Sequence, residues 1–152
     1  MKLNDIIPDS ISALVYKMRH PWLWTLGMWA VALLGCWTMI PYNESYAGVA
    51  FASCACIAFV GAMPLIPGEH NTLHNVIGII GCLLSQLWVA LAGDWQVLFL
   101  WWWAYVIILL AMVKYGLGRK WCFVAEMWCL LAVVFVLTGI SDNICNMILL
   151  EK

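Results

Sequence analysis

Two histidines four residues apart, His70 and His74, sit in the part of the chain richest in chemistry, Glu69-His70-Asn71-Thr72-Leu73-His74-Asn75. If a helix begins by His70, imidazoles at i and i+4 share one face, the spacing two metal ligands need. Glu126 is the one acid set well inside an apolar run, five residues past Trp121 and so roughly 8 Å deep. An ionisable group at such depth is costly unless it is paired, protonated or hydrated. His70, His74 and Glu126, or Glu69 in place of Glu126, form a candidate Zn²⁺ site with a position left for water. Zinc would lower that water's pKa to about 7 and supply hydroxide for hydrolysis. HxxxH lacks the internal glutamate of HExxH, and a plainer arrangement accounts for the same residues. In it, Glu69 and Asn71 cap a helix start while the histidines sit hydrated among headgroups. A proton relay or an anionic-headgroup site is a third use of the same groups. The candidate polar site is therefore Glu69, His70, His74, Asn75 and Glu126, with His20 at a comparable level.

Around these residues lie groups better suited to packing. Asn71, Asn75, Gly78, Cys82 and Ser85 make a small and polar stripe that is expected to face other helices, with close backbone approach at Gly78. Cys122 and Cys129 share the face of Glu126, at i−4 and i+3. Six of the seven cysteines lie in apolar runs, no CxxC pair occurs, and small polarizable packing residues are the expected role. Trp101-Trp102-Trp103 points three ways around a helix and is expected to meet lipid in the outer leaflet. Gln86 is expected to bond a neighbouring helix, and Asp94 and Asp142 to cap span ends.

A membrane must hold these residues in place. Only 10% of the 152 residues are charged and 66% are hydrophobic, with a mean hydropathy of +0.95. A soluble domain of this size carries about a quarter charged residues, so lipid has to cover the remainder. The formal net charge of −1 offers nothing to nucleic acid. Eleven tryptophans suit the two membrane interfaces. Five apolar runs, at 22–40, 46–66, 73–92, 95–113 and 121–140, approach the ~20 residues that cross ~30 Å of hydrocarbon as helix. Strands are excluded, because a lipid-embedded segment of this length must satisfy its own backbone. No cleavable leader is expected, since a polar stretch precedes the first run and no A-x-A-like site follows a short apolar region.

The expected fold is thus an all-α polytopic transmembrane bundle of about five spans. Residues 1–20 form an amphipathic interfacial segment, with Asp9 or Ser10 as its cap and Ile11, Leu14, Val15 and Met18 on its apolar face. Residues 21–140 form the transmembrane domain, and 141–152 a short tail. Lys2, Lys17 and Arg19 precede the first run, and Lys114, Arg119 and Lys120 lie between the fourth and fifth. The other three connections carry no Lys or Arg. Five spans with the N-terminus inside put both basic clusters on the cytoplasmic face, as the positive-inside rule requires. No internal repeat supports an inverted-repeat transporter.

One stretch carries a resemblance. Met63–Gly81 runs from an apolar helix ending in Met63-Pro64, through a short loop, to Leu73-His74-Asn75 opening a glycine-containing helix. It resembles a poorly characterised group of bacterial multi-pass proteins that are distantly similar to the alkaline ceramidase and adiponectin receptor superfamily of membrane hydrolases. That superfamily uses a Ser, an Asp and three His on a seven-helix core. The resemblance would place Ser53 and His74 in the corresponding roles; an intramembrane Asp, a later His pair and two helices are missing from this chain.

Three function classes follow. The first is a small non-enzymatic membrane protein that is structural, binds lipid, or partners another membrane protein or its own copies. The second is a metal-dependent hydrolase, with zinc as cofactor, acting on lipid at the cytoplasmic face. The third is a small transporter or channel subunit. In each case the expected location is the cell membrane, the inner one if the source is bacterial.

Overall fold

The computed structural model describes residues 10–11, 19–66, 71–93, 95–117 and 120–139. They form five α-helices: α1 (Pro21–Tyr42), α2 (Ala47–Ala62), α3 (Asn71–Ala92), α4 (Trp95–Lys114) and α5 (Trp121–Leu137). Short 3-10 turns, Glu44–Tyr46 and Met63–Leu65, flank α2. No strand occurs among the described residues. Three stretches are long and apolar enough to cross a membrane: Pro21–Tyr42, Glu44–Leu65 and Thr72–Ala92. Leu98–Lys114 and Trp121–Leu137 are shorter apolar helices. Of the expected interfacial segment only Ser10, Ile11, Arg19 and His20 are described; the rest of 1–20, and the tail from 140 onward, lie outside the described residues.

The helix ends follow from local chemistry. Pro21 occupies the first turn of α1, where its missing N–H is an orphan donor in any case. The stop expected at Pro41 falls instead after Tyr42. A proline in the last turn removes a single bond, and the Asn43 N–H still reaches the Met39 carbonyl at 3.4 Å. Helix α4 closes through Gly116, whose φ of +73° lets two orphan carbonyls be satisfied at once. The Gly116 N–H reaches the Val113 carbonyl at 3.1 Å and the Leu117 N–H the Met112 carbonyl at 2.7 Å, a Schellman closure. Lys114, in that last turn, complements the negative end of the helix dipole. Gly139, with φ of +67°, ends α5 in a similar way. The fifth helix therefore stops at Leu137 rather than running to 140.

The helices pack in a chain of neighbours. Helix α1 lies on α2, α2 on α3 and α3 on α5, while α4 touches α3 and α5 from outside. The buried core reflects this arrangement. Its main cluster is Ala32 and Met39 from α1, Ala50 and Cys54 from α2, Trp88 and Val89 from α3, and Ala132 and Val136 from α5, with Leu98 and Trp101 of α4 packed against it. Trp88, at 0% exposure, is its largest member. Around the outside the sequence presents an apolar coat: Leu33, Trp37, Phe51, Leu83, Ile107 and Leu110 are all well exposed, Trp37 to 82%. That is the inverse of a soluble protein's surface and the form a lipid-facing surface takes.

Small residues set the spacing. A Cβ placed on Gly81 would meet Cys56 Cβ at 2.9 Å, so α2 and α3 approach over a bare backbone. Gly61 stands against Met28 of α1 in the same way. Gly78 does not hold the expected position: a Cβ there would meet nothing within 4 Å. The close contact of α3 is displaced three residues, nearly one turn, to Gly81. Of the stripe, Ser85 is buried and Asn75 exposed; which residue makes the contact depends on the rotation of α3 against α2, which local composition does not set.

Candidate functional site

The register between α3 and α5 fixes what can meet in the bundle. Gln86 Nε2 donates to the Cys129 carbonyl at 3.2 Å. A Cβ on Gly93 would lie 3.1 Å from Val136 Cγ2. The two helices therefore run parallel with one offset of 43 residues (129 less 86, 136 less 93). Glu126 comes level with Leu83, and His74 falls nine residues nearer the end of α3, roughly 13 Å along the axis at 1.5 Å per residue.

Glu126 is half-buried. One carboxylate oxygen accepts the backbone N–H of Ile11. The other lies 3.7 Å from the Cys122 thiol, which donates to it. The carboxylate thus ties the segment before α1 to the fifth helix, a contact between residues 115 positions apart. His74 is half-buried and Asn75 exposed. Among the described residues no hydrogen bond joins either of them to Glu126, and their separation along the axis explains this. Glu69 and His70 lie outside the described residues. His20 stands in extended backbone at the start of α1, with its ring 6.2 Å from that of Trp22. Among the described residues no three of His, Cys, Asp and Glu form a group that could hold a metal ion. Of the proposed zinc ligands only His74 and Glu126 are placed, and the structure does not bring them together.

What shares a face with Glu126 is a pair of thiols. On α5, Cys122, Glu126 and Cys129 recur at i, i+4 and i+7, one face of the helix. Cys82 of α3 lies one turn before Gln86, whose side chain bonds the Cys129 carbonyl on that helix. Cys129 is buried and Cys82 and Cys122 are half-buried, and all three are free. Cys54 of α2 stands against Gly35 of α1, where an added Cβ would lie 2.8 Å from its sulfur.

Above this level the interior polar groups tie one helix to another. Gln86 is the hub: besides its bond to α5 it accepts Trp102 Nε1–H from α4 at 3.2 Å and donates to Ser85 Oγ at 3.2 Å. Ser53 Oγ donates to the Gly81 carbonyl at 3.0 Å, and Thr25 Oγ1 to the Gly61 carbonyl at 2.7 Å. The role expected of Gln86 is thus observed, with two neighbouring helices rather than one. The Trp101–Trp103 run differs from its expected part in a lipid-facing belt. Trp101 stacks on Trp128 with ring centroids 4.5 Å apart, and the two exchange bonds: Trp101 Nε1–H to the Trp128 carbonyl at 3.3 Å and Trp128 Nε1–H to the Trp101 carbonyl at 3.0 Å. Tyr105 Oη donates to the Trp121 carbonyl at 3.1 Å. Only Trp103 of the three is exposed, to 54%. The period of 3.6 turns two of three consecutive side chains inward once α4 has α5 on one side.

The Trp101–Trp103 run stood out in the sequence, but its pairing with Trp128 did not. The indole N–H groups of Trp24 and Trp88 are buried with no partner among the described residues. No family model matches the chain, and no curated protein or solved structure is significantly similar to it.

Proposed function

We propose that the chain is a five-span protein of the cell membrane, N-terminus in and C-terminus out, with a non-enzymatic role in binding lipid or another membrane-protein chain. Support for the span count comes from the position of α5. It runs beside α3 from the Gln86–Cys129 level to the Gly93–Val136 level. Helix α3 is long and apolar enough to cross a membrane, so α5 shares its layer, and α4 must return the chain between them. Short helices of 17 residues fall within the range that spans.

The observation that carries the functional reading is the engagement of the interior polar groups. Thr25, Ser53, Gln86, Trp101, Trp102, Tyr105 and Trp128 each bond a different helix. Side chains so placed hold a bundle in one geometry and are not free to bind and transform a substrate. The resemblance over Met63–Gly81 points toward hydrolysis, and zinc at His70, His74 and Glu126 would be its means. Native mass spectrometry of the chain released from nanodiscs separates the two. Retained lipid or a second membrane-protein chain is expected. A bare monomer that releases fatty acid from bilayer lipid only when zinc is present would replace this reading with the hydrolase.

A further inference from the structure

We propose that Glu126 is a binding site for a single proton, held on the carboxyl oxygen that faces Cys122, near mid-depth of the membrane. The inference rests on the five-span reading of α3 and α5 given above, and it holds whether the chain binds lipid or a partner.

The depth follows from the register. Taking the offset of 43 residues from 126 and from 121 sets Glu126 level with Leu83 and Trp121 level with Gly78. Helix α3 runs from Asn71 to Ala92 and is long and apolar enough to cross a membrane, so Leu83 stands close to its middle. Helix α5 thus begins well inside the layer. Glu126 lies deeper than the five residues between it and Trp121 suggest. The side chain at that level of α3, Leu83, is exposed and apolar, which suits lipid and not water. At such depth a carboxyl group needs a cation, water or a proton. The donors it has are neutral. The Ile11 backbone N–H donates to Oε2, and the Cys122 thiol stands 3.7 Å from Oε1.

The titratable groups on the elements around it are thiols and a phenol, which carry no charge near neutral pH. Cys122 and Cys129 share its own face of α5. Cys82 of α3 lies one turn before Gln86, and Cys36 of α1 packs on the core cluster. From α4 comes Tyr105, whose hydroxyl is engaged by the Trp121 carbonyl. The basic side chains of these elements stand toward the helix ends. Lys120 precedes α5, six residues and roughly 9 Å from Glu126 along the axis. Lys114 is in the last turn of α4, Arg19 and His20 precede α1, and His74 is nine residues from Leu83 on α3. The proton therefore has one natural seat. Oε2 keeps the Ile11 N–H in either state, because a protonated carboxyl retains a carbonyl oxygen. Oε1 faces a thiol, which donates to a carboxylate and accepts from a carboxyl O–H. A hard metal cation fits less well, since it asks for several oxygens and the atom beside Oε1 is sulfur. Proton uptake takes the group from −1 to neutral and leaves both hydrogen-bonded contacts in place.

The test uses the full chain in nanodiscs and the lipid-soluble reagent dicyclohexylcarbodiimide. A protonated carboxyl adds its O–H across one C=N bond of the reagent. Acyl migration to nitrogen then leaves a stable N-acylurea that contains the whole reagent, with no leaving group and no redox change. Peptide mass spectrometry should find the adduct on Glu126 at neutral pH, losing yield as the pH is raised, and no adduct in Glu126→Gln. The remaining seven of the eight Asp and Glu lie outside the apolar runs and serve as internal controls. Infrared difference spectra between neutral and alkaline pH should show a carboxylic-acid C=O band that shifts in D2O and is missing in Glu126→Gln. In Cys122→Ala the band should move to higher frequency, because the O–H loses its sulfur acceptor. The proposal is overturned if Glu126 forms no adduct, if the yield ignores pH, if the band survives Glu126→Gln, or if Cys122→Ala leaves its frequency unchanged. Those outcomes leave the span count standing. Labelling of Glu126 by a water-soluble carbodiimide instead would put α5 in water and overturn the five-span reading together with this one.

Discussion

Gln86 and Glu126 show how single polar side chains are used inside this bundle. Gln86 joins α3 to both α4 and α5, so Gln86→Leu leaves the Trp102 N–H unsatisfied in the interior. The expected cost is about 1–3 kcal/mol, read as a lower midpoint in detergent unfolding. A neutral result would mean that Trp102 finds another acceptor. Glu126 makes a different kind of prediction, because its partner is a backbone amide. Glu126→Gln retains a carbonyl oxygen for the Ile11 N–H, whereas Glu126→Leu does not. Hydrogen exchange at Ile11 should be slow in the wild type and in Glu126→Gln, and faster in Glu126→Leu. Equal exchange in all three would detach Glu126 from the N-terminal segment. The importance of both residues was legible in the sequence, since a glutamine and a glutamate in apolar runs stand out by type. Their partners were not. A partner 115 positions away is set by tertiary packing, and the offset of α5 against α3 depends on packing along their whole length.

At the scale of the helices, small residues and aromatic pairs decide which faces meet. Gly81→Leu forces α2 and α3 apart at Cys56 and should cost about 1–3 kcal/mol as overpacking. Gly78→Leu should be nearly neutral, because open space lies beside it. Comparing the two midpoints under identical conditions checks the rotation of α3; the reverse order would place the α2 contact on the Gly78 side. Helix α4 rests on a different foundation. It packs on the margin of the core cluster through Leu98 and Trp101, and its bonds to other helices run through Trp101, Trp102 and Tyr105. A well-stacked aromatic pair adds about 0.5–1.5 kcal/mol beyond area burial, and here two indole–carbonyl bonds accompany it. Trp128→Ala should loosen α4 selectively, with faster exchange in Trp95–Lys114 than in α1 or α2. Uniform loosening would make α4 part of the core. The helices themselves were readable from run length and hydropathy to within four residues at each end. The inward turn of Trp101 and Trp102 was hidden because an aromatic run in an apolar helix looks alike whether it meets lipid or protein.

The whole molecule combines an apolar coat, a core shared by four helices and basic clusters confined to two positions in the chain. Arg19 precedes α1 and Lys120 precedes α5, and both α1 and α5 run parallel to α3 in the proposed topology. With five spans, all the Lys and Arg except Lys152 fall on one side, which the positive-inside rule assigns to the cytoplasm. Labelling with a membrane-impermeant maleimide tests this most directly, using single cysteines introduced at Lys17, Asn43, Gly118 and Asp142 and the unsubstituted chain as background. In intact cells Asn43→Cys and Asp142→Cys should react, while Lys17→Cys and Gly118→Cys should react only after permeabilisation. Reaction of Gly118→Cys in intact cells would contradict the five-span, N-in topology.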